Sequence, residues 1–141
     1  MPPGYQLVRI ERGFLRLCGP FYMHERLPVV AVRVTEQHLN MQDIAHGGFL
    51  AALADSAYGI VMRRDLPGIV PRTAHLSVDY LSAVRAGDWL EAHVEVVKHG
   101  RRITNGICRL AVGDRIVLQT MGVFATMPNT EPLRQVIGLA S

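Results

Sequence analysis

Two cysteines in 141 residues, Cys18 and Cys108, are too few and too far apart for a disulfide framework, and neither has a second Cys or a His at metal-ligand spacing. A stapled secreted scaffold and a zinc site both lack support, and a reducing, cytoplasmic setting with no metal and no cofactor is expected. A dense basic stripe is missing as well. The 15 Lys and Arg exceed the 12 Asp and Glu by three, and they are scattered apart from the pairs Arg63/Arg64 and Arg101/Arg102. Nucleic-acid binding usually needs a denser stripe, whereas a nucleotide phosphate needs only a few cations. The most apolar stretch, 47–62, is interrupted by glycines and Asp55, so membrane insertion is not expected. "MPPGYQLVRIERG" has no basic segment leading into an apolar core, which argues against a signal peptide. Repeats and low-complexity runs are absent.

Hydrophobic residues make up 49% of the chain and charged ones only 19%, which suggests that a second subunit covers part of an apolar surface. The length suits one domain with its own core. A short helix is expected around Gly4–Glu11, then a loop through "GFLRLCGPFYMHE" and a Val-rich strand in "LPVVAVRVT". From Gly47 to about Arg64 the pattern turns helical, with Leu50, Leu53, Ala57, Ile60 and Val61 recurring and Arg63 and Arg64 at the negative end. "RTAHLSVDYLSAV" alternates with period two, Ala74, Leu76, Val78 and Tyr80 against Thr73, His75, Ser77 and Asp79. "WLEAHVEVVKH", "RITNGICRLAV" and "IVLQTMGVFATM" complete a meander. The sum is an α+β architecture: one long helix, wrapped by a twisted antiparallel sheet of five or six strands. The divisions are 1–20, helix and loop; 21–128, the main domain; and 129–141, a tail.

Asp55 is the only charge between Gly47 and Met62 of that helix. It lies about 200° around the wheel from Leu53, on a face flanked by Gly48, Ala51, Ala52 and Gly59. A carboxylate among small residues lets a ligand or a second backbone come close. Capping a local backbone group, or facing water, accounts for it equally well. At the helix start, "HGG" places Gly47 and Gly48 where unpaired N–H groups favour developing negative charge, as on a carbonyl oxygen during acyl transfer. His46 reads first as a hydrogen-bonded structural residue and second as a base. Gly47 and Asp55 are separated by about 12 Å along one helix, too far to act on one bond. Joint use requires two antiparallel helices meeting across a two-fold axis.

"GPFY", "LNMQDIAHGGFLAALADSAYG", "LSVDYLSAVRAGD" and "KHGRR" together resemble the hotdog-fold acyl-CoA thioesterases of the phenylacetate-pathway and thioesterase-superfamily branch. The specific block is Asn40, then His46-Gly47-Gly48, then Asp55, nine residues after the His. The resemblance implies that Asn40 and the Gly47 amide polarise a thioester carbonyl. It further implies that Asp55 of the partner chain is nucleophile or general base, and that Ser82 orients water, although Ala83 stands where the family has proline. It implies an acyl-CoA substrate and a homodimer at least, with tetramers frequent. His46 and Gly48 would lie at the substrate, Arg101 and Arg102 would meet the CoA phosphates or simply form a solvated turn, and Phe49, Tyr58 and Met62 would line an acyl tunnel or pack the core. A non-catalytic hotdog protein binding an acyl-CoA or aromatic ligand is the alternative.

Overall fold

Nineteen consecutive residues, Gly47–Asp65, form the long helix α2, around which the rest of the chain is arranged. The computed structural model describes residues 1–128 and the backbone of 137–139. The strands are β1 (Tyr5–Ile10), β2 (Phe21–His24), β3 (Val29–Arg33), β4 (Ile69–Tyr80), β5 (Trp89–His99), β6 (Ile103–Val112), β7 (Arg115–Pro128) and β8 (Ile137–Leu139), and a five-residue helix, α1 (Phe14–Cys18), precedes β2. They build one sheet in the order β4-β7-β6-β5-β3-β2-β1-β8, with every pair antiparallel. This is the hotdog arrangement, a sheet curled over a central helix.

The sheet-facing side of α2 explains why it is a helix. Leu50, Leu53, Ala54, Ala57, Tyr58 and Val61 recur at helical spacing and all are at most 4% exposed, each large one contributing roughly 1.5–3 kcal/mol of burial. Tyr58 sits in a slot made by two glycines paired across β6 and β7, Gly106 and Gly122. A Cβ at either would come within 2.8 and 3.2 Å of the Tyr58 ring. At the other end of α2, Arg64 holds Asp65 and donates to the carbonyls of His24 and Leu27, tying the helix terminus to the β2–β3 loop.

The N-terminal expectation needs correcting. The segment read as a helix over Gly4–Glu11 is strand β1, because it pairs on both edges, with β2 through Tyr5–Leu7 and with β8 through Val8–Ile10. Two flanking ladders outweigh a weak helical preference in six residues. The short helix lies farther on, at Phe14–Cys18, inside the stretch read as loop. The sheet accordingly has eight strands, not five or six. The tail expected over 129–141 lies outside the described residues apart from β8.

Candidate active site

The loop before α2 is held from both sides. The Ala45 N–H donates to Val84 O and the His46 N–H to His38 O. Asn40 shapes the turn within it: its Oδ1 accepts from the Gln42 N–H at 2.9 Å and its N–H donates to Ile44 O. The Asn40 side-chain NH2 has no partner among the described residues. His46 is the N-cap of α2, its Nδ1 accepting from the Gly48 N–H at 2.8 Å. That contact uses the Gly48 amide and fixes the imidazole in a structural role. The Gly47 N–H is left without a partner among the described residues. Asn40 and His46 border a broad open cleft of about 720 Å³ at this helix start.

Gly47 is required by a close approach. Tyr80, the last residue of β4, lays its ring against the helix start and donates its hydroxyl to Gly47 O at 2.8 Å. A Cβ at 47 would stand 3.1 Å from that ring. The far end of β4 is thereby pinned to the first turn of α2.

Two helical turns on, half-buried Asp55 accepts a hydrogen bond from Thr73 Oγ1 at 2.5 Å. Strict alternation would put Thr73 on the outer face of β4, beside His75, Ser77 and Asp79. A β-bulge reverses it. Thr73 pairs with Phe124 while His75 pairs with Val123, so Ala74 is the extra residue and Thr73 turns to the helix side with Leu76, Val78 and Tyr80. The Thr73 hydroxyl steers the carboxylate and leaves its other oxygen for a water or a carbonyl carbon. A cavity of about 200 Å³ opens beside the pair, with Gly59, Phe124 and Pro71 on its walls.

The remaining expected residues lie elsewhere. Ser82 is nine positions beyond Thr73, past the other end of β4, and its Oγ accepts from Arg115 Nη1 at 2.6 Å; the hydroxyl on Asp55 within the chain is that of Thr73. Tyr58, expected at an acyl tunnel, is fully buried and bonded through its hydroxyl to Thr120 Oγ1 at 2.8 Å. Burial pushes its phenol up to about 12 against the opposing Thr120 bond, so it is a neutral packing and donor group. Met62 is likewise fully buried. Phe49 stacks on the His38 imidazole at 4.1 Å in the core. Arg101 and Arg102 are exposed in the β5–β6 turn. Neither cysteine is an activated thiol: burial raises Cys18 and pushes Cys108 up to about 12. Among the groups on the helix side, Asp55, Thr73, Asn40 and the Gly47 amide keep polar atoms available to a ligand.

Thr73 and Tyr80 were not singled out from sequence. A bulge has no composition signature, and Tyr80 simply extends an alternating row. Only the strand pairing reveals them.

Residues 42–118 match the family model of the thioesterase superfamily. "Putative esterase PA0474" of Pseudomonas aeruginosa is 38% identical over 128 residues, covering 88% of this chain and 96% of that protein. Acyl-coenzyme A thioesterase PaaI of Escherichia coli is 34% identical over 80 residues, 57% of this chain and 56% of that one. Among solved structures, the Escherichia coli PaaI protein of the phenylacetic acid degradation operon superposes with a TM-score of 0.65 at 26% identity, over 76% of this chain and 72% of that one. A zebrafish thioesterase superfamily member 2 superposes with a TM-score of 0.75 at 22% identity, over 82% and 87%, which speaks to fold alone. The family match over more than half of the chain, together with the 38% identical relative, shows that the chain belongs to the thioesterase superfamily, as a thioester hydrolase.

Proposed function

We propose that the protein hydrolyses acyl-CoA thioesters to the free acid and CoA, at a site completed by a second copy of the chain. The observation that carries this reading is β4. Among the described residues it pairs only with β7, which leaves one edge of a twelve-residue strand unpaired there, a template for another strand. Asp55 is anchored toward one end of β4 through Thr73 and Gly47 at the other through Tyr80. Antiparallel pairing of β4 with its copy about a two-fold axis near Leu76 and Ser77 sets Thr73 of one chain opposite Tyr80 of the other. Asp55 then faces the partner's helix start, and the 12 Å helix-rise problem disappears.

In the composite site the Gly47 N–H, with the Asn40 NH2 nearby, donates to the thioester carbonyl oxygen and stabilises the charge that develops there. Asp55 from the other chain either takes a proton from the attacking water or attacks the carbonyl carbon itself, held in line by Thr73. His46 keeps the Gly47–Gly48 peptides in register, and Arg101 and Arg102 are the exposed cations available to CoA phosphates. Pairs of such dimers would account for a tetramer. Ser82 keeps only a supporting place, bonded to Arg115.

The test is complementation. Asp55→Ala removes the carboxylate, and Gly47→Pro removes the amide proton at a first helical position where His46 already has the extended ψ of 132° that a following proline requires; Gly47→Ala, which adds the same Cβ 3.1 Å from the Tyr80 ring but keeps the N–H, is the control for crowding. Homomeric Asp55→Ala and Gly47→Pro should each release free thiol from acyl-CoA at least roughly a hundredfold more slowly than wild type. Mixed dimers carry one intact site and should recover up to half the wild-type rate. Mixed dimers as inactive as the parents would defeat the shared site.

A further inference from the structure

Arg63 lies eight residues beyond Asp55 on the same face of α2, and both line the cavity of about 200 Å³. Its neighbour Arg64 is fully employed, holding Asp65 and two backbone carbonyls. Arg63 reaches solvent at the cavity rim and makes no ion pair and no hydrogen bond with any described residue. Between Asp55 and Arg63 comes Gly59, where an added Cβ would meet nothing within 4 Å. No packing within this chain asks for a glycine there, and what the missing side chain leaves is cavity. Pro71 and Phe124 wall the opposite side. Thr126 faces α2 in the same row of β7 as Phe124 and pairs with Pro71, and its Oγ1 is a buried polar atom without a partner among the described residues.

We propose that this cavity receives the acyl group, and that Arg63 selects acyl groups ending in a carboxylate: mono-CoA thioesters of short dicarboxylic acids, succinyl or glutaryl in size. The inference rests on the acyl-CoA reading above. At roughly 30 Å³ per water-sized unit, the part of the cavity walled by this chain between Asp55 and Arg63 takes on the order of seven non-hydrogen atoms, the size of a succinyl or glutaryl group. Asp55 and Arg63 stand about 12 Å apart along the helix, and the flexible guanidinium can reach back over Gly59. A carboxylate bound there meets a two-pronged charged donor, with its own charge held away from Asp55. An apolar chain end would displace water from the Arg63 guanidinium without replacing its hydrogen bonds.

The experiment compares glutaryl-CoA with 5-methylhexanoyl-CoA, in which an isopropyl group replaces the carboxylate. Wild type should favour glutaryl-CoA in kcat/KM, and Arg63→Met should lower the ratio between the two roughly tenfold to a hundredfold, with Arg63→Lys retaining part of it. An unchanged ratio overturns the proposal. So does an equal loss for both esters accompanied by weaker inhibition by free CoA, which would place Arg63 on the CoA phosphates. If wild type cleaves neither ester, the thioesterase reading fails on its own, and calorimetry with the same two compounds decides the pocket. Tighter glutaryl-CoA binding that vanishes in Arg63→Met upholds the carboxylate site; equal binding sinks it.

Discussion

The side of α2 that meets the sheet carries Leu50, Leu53, Ala54, Ala57, Tyr58 and Val61, all at most 4% exposed, while the opposite side carries Gly48, Ala51, Ala52, Asp55, Ser56 and Gly59, none of them buried. The inner residues have their needs met inside the chain: apolar surface is covered, and the one phenol has its hydroxyl on Thr120. The outer residues do not. The Gly47 amide at the start of that side lacks an acceptor among the described residues, the Asp55 carboxylate is held by a single hydroxyl, and Gly59, about two turns from the helix end, opens onto a cavity. Nineteen residues thus divide into a half that makes the fold and a half whose chemistry points out of the chain.

Substitutions on the two sides should therefore fail differently. Tyr58→Ala empties the slot over Gly106 and Gly122 and takes the phenol from Thr120, whose hydroxyl keeps only its bond to Cys108 O. It should cost roughly 3–5 kcal/mol, read as a drop of several degrees per kcal/mol in Tm. If Tyr58→Ala instead left stability intact and changed acyl preference, the inner side would be part of the substrate site after all.

The inner side also predicts an alkaline weakness. Cys108 is raised from 9.0 to about 12 and Tyr58 from 10.0 to about 12, in both cases chiefly by burial. A folded state that holds its protons more tightly than the unfolded chain has that stability in full below pH 9 and loses it as pH climbs from 9 to 12. The denaturant midpoint should fall across that interval by an amount worth a few kcal/mol. Cys108→Ala should flatten the fall.

The inner side was legible in the sequence and the outer side only in part, for a physical reason. Burial enforces periodicity, so Leu50, Leu53, Ala57 and Val61 announce the helix, and the four long strands announce themselves by alternation. Asp55 showed as a lone charge, Gly47 as one of two glycines at a helix start. Thr73 was hidden because the bulge at Ala74 breaks the very alternation that sequence reading relies on. Alternation alone puts it in the solvent-facing row. β1 was missed because six residues carry too little pattern to separate a strand from a helix when their pairing partners are distant. Ser82 and Tyr58 have their places by resemblance, and the contacts that redirect them, Arg115 with Ser82 and Gly106 and Gly122 with Tyr58, span more than thirty positions of the chain.

Thr73→Val sharpens the comparison on the outer side. It keeps the shape and removes the bond to one Asp55 oxygen, so kcat should drop about tenfold, the order of one charge-assisted hydrogen bond, with KM and Tm nearly constant. Thr73→Ser should restore most of the rate. A fall in Tm without a fall in kcat would recast Thr73 as a structural residue.

Gly59→Ala should have the smallest effect on folding and divides the two sides most cleanly. A glycine inside a helix costs up to about 1 kcal/mol relative to alanine, and here the new methyl meets nothing within 4 Å of the chain. The isolated subunit should gain a few tenths of a kcal/mol to about 1 kcal/mol in stability. The methyl also projects into the cavity between Asp55 and Arg63, so a bound acyl group should meet it. A variant that melts slightly higher yet binds or turns over its thioester more weakly would show that the glycine serves what occupies the cavity. One that melts higher and works as well as wild type would empty the cavity of any role.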